Sequence, residues 1–285
     1  MKLPFNIDLK GKTAVVTGGG GVLCSMFAEA LALSGASVAI LDLRLEAAEK
    51  AAEKICNAGG VAKGYECNVL KPDSVKAARD AILKDFGTAD LLINGAGGNN
   101  PKGTTTKEYL DPEDLKSASD EIKTFFDLDP EGIEFVFNLN FLGTLIPTQV
   151  FARDMAEKGH GNIINVSSMN AFCPLTKIPA YSGAKAAVSN FTEWLAVHFS
   201  RVGVRVNAIA PGFFVTDQNR ALLFNEKGEP TARTGKILAA TPMGRFGEAE
   251  ELVGTLLWLA SDEASGFVDG TVIPVDGGFN AYSGV

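Results

Sequence analysis

The sequence predicts an α/β architecture, a doubly wound parallel sheet of about seven strands with helices on both faces, and three observations carry that prediction. Short apolar runs alternate with stretches at helical spacing along most of the 285 residues, the pattern of strands covered on both faces. Four consecutive glycines, Gly18, Gly19, Gly20 and Gly21, stand where the first apolar run gives way to the first helical stretch. An aspartate, Asp42, closes the second run. A βαβ unit with glycines at its first turn presents backbone N–H groups at a helix N-terminus, where a pyrophosphate can rest.

The elements follow in order. Residues 13–16 form the first strand, 22–33 the first helix and 37–41 the second strand. Leu45, Ala48, Ala52 and Ile55 mark the next helix, ended by Gly59 and Gly60, because glycine takes the left-handed conformation that closes helices. A strand over 61–66 leads to Cys67, Asn68 and Val69, and 72–86 is helical with Val75, Ile82 and Phe86 inward. Residues 91–94 make the fourth strand, and the run from Gly97 to Pro101 is turn chemistry. Residues 111–126 read as a helix. The run 162–166 is a fifth strand, followed by a helical period from Pro179 to Arg201 through Ala184, Val188, Phe191 and Leu195. A sixth strand at 204–210, an amphipathic helix at 248–260 and a seventh strand at 271–275 complete the set. Right-handed crossovers then place the helices on the two faces of a parallel sheet.

Composition bounds the function. With 46% apolar and 21% charged residues, no repeat and no low-complexity stretch, the chain reads as one domain spanning 1–285. Its 26 basic and 34 acidic side chains give a formal charge of −8 without a basic cluster, which argues against a nucleic-acid partner. Four cysteines lack CxxC spacing and only His160 and His198 offer imidazoles, so neither a metal site nor a disulfide framework is expected, and a reducing, cytoplasmic setting fits. Between Lys12 and Asp42 the single charge is Glu29, but the glycine run and the Ser34-Gly35 break cut that stretch into pieces too short to cross a membrane.

The chemistry concentrates between Ser168 and Lys185. Tyr181 and Lys185 are one turn apart on a helix, and Ser168 lies 13 positions before Tyr181, directly after a strand. A phenol titrates near pH 10, too high for proton transfer at neutral pH, and an ammonium one turn away favours the phenolate. Tyr181 then becomes an acid or base, and Ser168 can hold the substrate oxygen where charge changes. A tyrosine and lysine at this spacing also occur on ordinary surface helices; the preceding serine gives the pair its meaning.

These residues resemble the short-chain dehydrogenase/reductase family, and the resemblance runs from Lys12 to about Phe279. It implies a Rossmann-type fold in which Ser168, Tyr181 and Lys185 are catalytic, with Asn140, from an N-x-x-G motif, supporting a proton relay. Gly18, Gly19, Gly20, Gly21, Val22, Asp42, Asn68, Val69, Asn94, Ala96, Gly97, Tyr181, Lys185, Pro211, Gly212 and Thr216 match the family's cofactor positions. Asp42 can bond both ribose hydroxyls and would repel the 2′-phosphate of NADP, so NAD is expected, with Arg44 leaving NADP open. The family's glycine pattern is broken: Val22 and Cys24 stand where its second and third glycines belong. A β-branched residue does not take φ > 0, so the approach to the phosphates is expected to shift onto Gly19, Gly20 and Gly21.

The 46 positions from Asn94 to Asn140 imply an insertion over 98–134 near the active site, and 213–245 corresponds to the family's substrate lid. Substrate candidates are Asn99, Asn100, Asn170 and Arg220. The lid's local excess of positive charge suits an anionic substrate. Within the family, the TGGGGVLC turn, the insert and the FNAYSGV ending resemble the branch acting on the sugar acids D-mannonate and D-fructuronate. Gluconate 5-dehydrogenase, 3-oxoacyl carrier-protein reductase and a nucleotide-binding sensor without chemistry remain alternatives. The family implies a homotetramer.

Overall fold

The computed structural model describes residues 7–116, 121–215, 223–226 and 228–284. Seven strands, β1 (Thr13–Thr17), β2 (Ser37–Asp42), β3 (Val61–Glu66), β4 (Leu91–Asn94), β5 (Gly161–Val166), β6 (Val204–Pro211) and β7 (Val272–Val275), form one parallel sheet in the order β3-β2-β1-β4-β5-β6-β7. The main helices are α1 (Val22–Leu33), α2 (Leu45–Asn57), α3 (Pro72–Asp85), α4 (Pro130–Phe137), α5 (Gly143–Lys158) and α6 (Pro179–Phe199), with later helices at Ala232–Ala239 and Val253–Ala260.

Because successive strand residues face opposite sides, each apolar run feeds two cores. Val16, Ile40 and Ile93 pack with α1, α2 and the Val253–Ala260 helix on one face. Val15, Leu92 and Ile163 pack with α3, α5 and α6 on the other. A bidentate pair from Arg79 to Asp154, with both N–O distances 2.6 Å, fastens α3 to α5. The chain winds outward from β1 to β3, then returns to place β4 on the other side of β1. That reversal leaves a crevice at the carboxyl ends of β1 and β4.

Two features depart from the sequence reading. Residues 111–126 are not a helix: Pro112–Leu115 and Phe125–Asp127 are single 3-10 turns, with 117–120 outside the described residues. The Asp114 carboxylate turns back to accept the Asp111 N–H at 2.9 Å while Lys107 bonds both aspartates; such local bonds compete with helix propagation. In addition, α4 runs into α5 through a π turn at Asn138–Leu142. The combined run Pro130–Lys158 has the length and mean hydropathy, 1.3, of a bilayer span, yet its Val136, Phe151 and Met155 are fully buried against neighbouring elements.

Candidate active site

The crevice is a cavity of about 490 Å³ whose walls include Gly18, Gly21, Val22, Cys24, Asp42, Gly95, Ala96, Gly97, Ser168, Tyr181, Lys185, Pro211 and Gly212. Its first wall is the β1–α1 turn. Gly18 takes φ +64°, and a Cβ there would meet Ala96 Cα at 2.9 Å. The left-handed step is therefore made at Gly18, and Val22 simply opens α1 after an extended Gly21 with φ −79°. The valine that breaks the glycine pattern is never asked for a positive φ. Of Gly19, Gly20 and Gly21, on which the approach to the phosphates was expected, the first two are engaged locally: Gly19 N–H bonds Leu41 O at 3.0 Å, and Gly20 N–H bonds the Asp42 carboxylate at 3.1 Å. Of those two, neither lines the cavity; Gly21 does. Asp42 holds its second oxygen on Arg44 N–H at 3.1 Å, so the acid is fixed at the rim by two backbone donors.

The opposite wall carries the reactive groups. Ser168, on the loop leaving β5, accepts the Asn170 N–H at 3.3 Å and is hydrogen-bonded to the Tyr181 phenol. Lys185 is 4% exposed; its ammonium donates to Val166 O at 2.7 Å and lies 5.7 Å from the Tyr181 ring centroid. Asn140 is fully buried inside the π turn, its Nδ2 donating to Gly98 O at 2.7 Å and Val136 O at 2.8 Å. A Cβ on Gly97 would stand 2.7 Å from Asn140 Oδ1 and 3.3 Å from Lys185 Nζ. Gly97 is thus bare backbone packed against the buried Asn140 amide and the Lys185 amine, and of these two side chains the lysine lines the cleft.

The electrostatics correct one expectation. The phenol is not lowered by its neighbour: burial raises Tyr181 above its ordinary value, and only the Ser168 hydrogen bond pulls the other way. Burial also draws the Lys185 amine down to about 8, because desolvation disfavours whichever form is charged. At neutral pH the phenol is held protonated, the form that donates to a carbonyl oxygen.

Several predicted residues have partners of their own within the chain or lie outside the described residues. Asn68 Oδ1 accepts Leu70 N–H at 3.0 Å, making a turn after β3, and Val69 packs toward Gly143. Asn94 Nδ2 donates to Thr148 and Asn165, both at 2.9 Å, under the sheet. Asn100 caps the Pro101–Gly103 turn, and Asn99 is exposed with Nδ2 on Thr104. Asn170 is 4% exposed, with its Oδ1 buried and without a partner among the described residues. Thr216 and Arg220 lie outside the described residues. The lid's positive charge is partly neutralised, since Lys236 pairs with Glu108 at 2.8 Å and Arg245 with Glu251 at 2.7 Å. Phe213 and Phe214, which also line the cleft, gave no signal beyond following the Pro211-Gly212 turn. Lys177, on the loop between Ser168 and Tyr181, holds the left-handed φ of +73° while its carbonyl accepts Thr105 N–H at 2.9 Å; a non-glycine residue held so is strained, and such strain clusters at functional sites.

A crevice at the switch point of a parallel sheet, with a phenol and an amine on its floor, is the arrangement of oxidoreductases that move hydride with a dinucleotide. The chain belongs to the short-chain dehydrogenase family, whose model matches residues 12–227. An uncharacterised oxidoreductase of Haemophilus influenzae is 61% identical over 285 residues, covering 100% of this chain and 99% of that one. A crystal structure of a candidate D-mannonate oxidoreductase from Haemophilus influenzae with bound NAD superposes with a TM-score of 0.93 at 61% identity, over 98% of this chain and 99% of that one. A gluconate 5-dehydrogenase from Burkholderia cenocepacia, in complex with NADP and tartrate, gives 0.81 at 30% identity, over 97% and 98%.

The buried amine has a consequence for stability. Its folded value, about 8, lies below the ordinary 10.5, so the folded chain binds fewer protons between those limits. Stability therefore falls as pH drops through that interval and is level below it. Lys185→Met, which takes no proton, is expected to be more stable than the parent at pH 7 by about 1–3 kcal/mol after the lost hydrogen bond is counted. The gap should close as pH approaches 10.5. Urea midpoints at both pH values check this, and a parent more stable than the variant at pH 7 would refute it.

Proposed function

We propose that this chain interconverts D-mannonate and D-fructuronate, a sugar-acid alcohol and its ketone, using NAD(H). The observation that carries the reading is the joint placement of Ser168, Tyr181 and Lys185 on one wall of a cleft whose far rim ends in Asp42. The cavity fits a dinucleotide: bare backbone at Gly18, Gly21 and Gly97 lines it, and its volume lies in the range of small-molecule sites. Asp42 would hold the adenosine ribose, the Gly21 and Val22 end of α1 the phosphates, and Lys185 the second ribose. When bound, the cofactor supplies or accepts hydride at nicotinamide C4. In reduction, the Tyr181 hydroxyl gives its proton to the ketone oxygen as the carbonyl carbon gains hydride, leaving phenolate and alcohol. Ser168 orients that oxygen, and Asn140 and Lys185 mark the route by which a proton returns to Tyr181. The reverse direction starts from the phenolate. The unpaired Oδ1 of Asn170, two residues from Ser168, offers an acceptor for a substrate hydroxyl. Segment 98–134 is read as an insertion that covers the substrate side, and Thr216 and Arg220 as cofactor and substrate contacts.

The reading favours NAD over NADP through Asp42, and similarity to the NAD-bound Haemophilus structure supports it. It favours a homotetramer because α4 and α6 leave Phe135, Phe137, Trp194 and Val197 exposed, apolar side chains that further copies of the chain would cover.

Absorbance at the NADH band should show oxidation of NADH by D-fructuronate; turnover of a gluconate ketone alone would move the chain to the sibling activity, and binding without any turnover would make it a sensor. Tyr181→Phe is expected to lower kcat by about 10²–10⁴ while NADH still binds within about threefold. Loss of binding and turnover together would count against the acid role. Asp42→Ala should shift the NAD:NADP preference in kcat/KM toward NADP by about tenfold or more, the scale of one charged hydrogen bond; an unchanged ratio would remove the carboxylate from cofactor choice. Light scattering of the purified chain should give four times the chain mass, and a monomer mass would end the tetramer assignment.

A further inference from the structure

Helix α1 carries a cysteine where close packing on the sheet calls for a small residue, and the space it needs is supplied from across the contact. A Cβ on Gly95 would stand 2.2 Å from Cys24 Sγ and 3.0 Å from Thr17 O. The first distance is far inside any real contact, so the thiol fills the notch that the missing side chain leaves; Cys24 is 6% exposed. The same segment is gripped elsewhere. Thr17 Oγ1 accepts the N–H groups of Gly95 at 3.0 Å and Ala96 at 3.2 Å, and Gly18 is against Ala96 Cα. On its other side, Gly97 leaves no room before Asn140 Oδ1 and Lys185 Nζ. Residues 95–97, Gly-Ala-Gly, are therefore a strip of small residues wedged between the β1–α1 turn and the side chains of Asn140 and Lys185.

We propose that Cys24 is a positioning residue of the cleft: its thiol, seated in the notch at Gly95, sets how far the 95–97 strip stands from Asn140 and Lys185, and so fixes the width of the dinucleotide site. The role is mechanical. Burial pushes the thiol up to about 12, so it stays protonated and takes no part in proton transfer. A methyl group at residue 95 must either turn the thiol out of its place on the helix or drive the strip toward Lys185, and both close the site. The proposal rests on the reading of this cavity as the NAD site, and its test separates the two.

The experiment is a four-membered cycle on the full chain: parent, Cys24→Ala, Gly95→Ala, and the double variant, each titrated with NADH by fluorescence well below its melting temperature. Gly95→Ala is expected to weaken NADH binding by about tenfold or more, the scale of overpacking a tight contact. The double variant should bind within about threefold of Cys24→Ala, because the methyl then meets no sulfur. In turnover, the KM for NADH should rise in Gly95→Ala and recover in the double variant, a reversal that a general loss of stability would not give. Binding by Cys24→Ala or by Gly95→Ala equal to the parent, or a double variant as weak as Gly95→Ala, overturns the assignment. Should Gly95→Ala fail to fold, the double variant decides: folded and binding, it supports the thiol as the obstacle, and unfolded, it overturns it. A parent that does not bind NADH sinks the cofactor reading instead, and the packing claim is then read from melting temperatures of the same four proteins, lowered in Gly95→Ala and restored in the double variant if it holds.

Discussion

The rest of the structure depends on an amine kept out of water. Lys185 is on the inner face of α6, 4% exposed, with one carbonyl, Val166 O, as its acceptor among the described residues. An ammonium has three donors and is costly to desolvate, and the chain meets that cost by letting the group titrate early, near 8. The surroundings are arranged so that nothing else competes for the space. Gly97 has no side chain, Asn140 is turned inward by the π turn, and Ser167 Oγ bonds Lys185 O at 3.2 Å, pinning this turn of α6 to the end of β5.

That pinning extends into a buried polar ladder. Thr144 Oγ1 bonds Asn140 O at 2.9 Å, Thr148 Oγ1 bonds Thr144 O at 2.7 Å, and Asn94 joins Thr148 to Asn165, which reaches Thr192 on α6 at 2.9 Å. A π turn inserts one residue into the helical register, and the threonine hydroxyls bond back to the carbonyls four residues earlier as the turn runs into α5. The ladder joins α5, β4, β5 and α6, with Asn140 at one end and Thr192, on the helix of Lys185, at the other; within it only the Asn94 Oδ1 is left without a partner among the described residues. Polar contacts in a core of low dielectric tolerate little displacement, which is why a site on two helices keeps a fixed geometry.

Most of the sheet was legible in the sequence because it rests on periodicity, and periodicity is local. The strands at 13–17, 37–42 and 91–94 are apolar runs bounded by turn residues, and Tyr181 with Lys185 is a helical spacing that needs no tertiary knowledge. What could not be read was which partner, near or far in the chain, each polar group takes in the fold. Val22 looked incompatible with a glycine turn only because the turn was counted along the sequence; in space the left-handed step belongs to Gly18. Asn94 and Asn68 match family positions, and nothing in the sequence signals that the Asn94 Nδ2 bonds Thr148 and Asn165 or that the Asn68 Oδ1 accepts the Leu70 N–H. The stretch 111–126 had helical composition, but Asp114 found a nearer partner in the Asp111 N–H. The phenol's direction was misjudged for the same reason: one turn of separation fixes the distance between Tyr181 and Lys185, while burial, invisible in the sequence, decides which charge survives.

The charge distribution around the substrate side follows from that same contest between local and distant partners. Counted along the chain, the lid has more basic than acidic residues, which suggests an open positive mouth. In the fold, Glu108 crosses from the segment after β4 to Lys236, and Glu251 holds Arg245 in a two-point pair. These exposed pairs contribute little stability each, but they fix orientation: one joins the 98–134 segment to the Ala232–Ala239 helix, and the other fastens the end of the lid to the residues that start the last helix. Cations that looked available for substrate thus act as ties between the covering segments. What faces the cleft beside Tyr181 and Lys185 is the uncharged Ser168, held by the loop leaving β5.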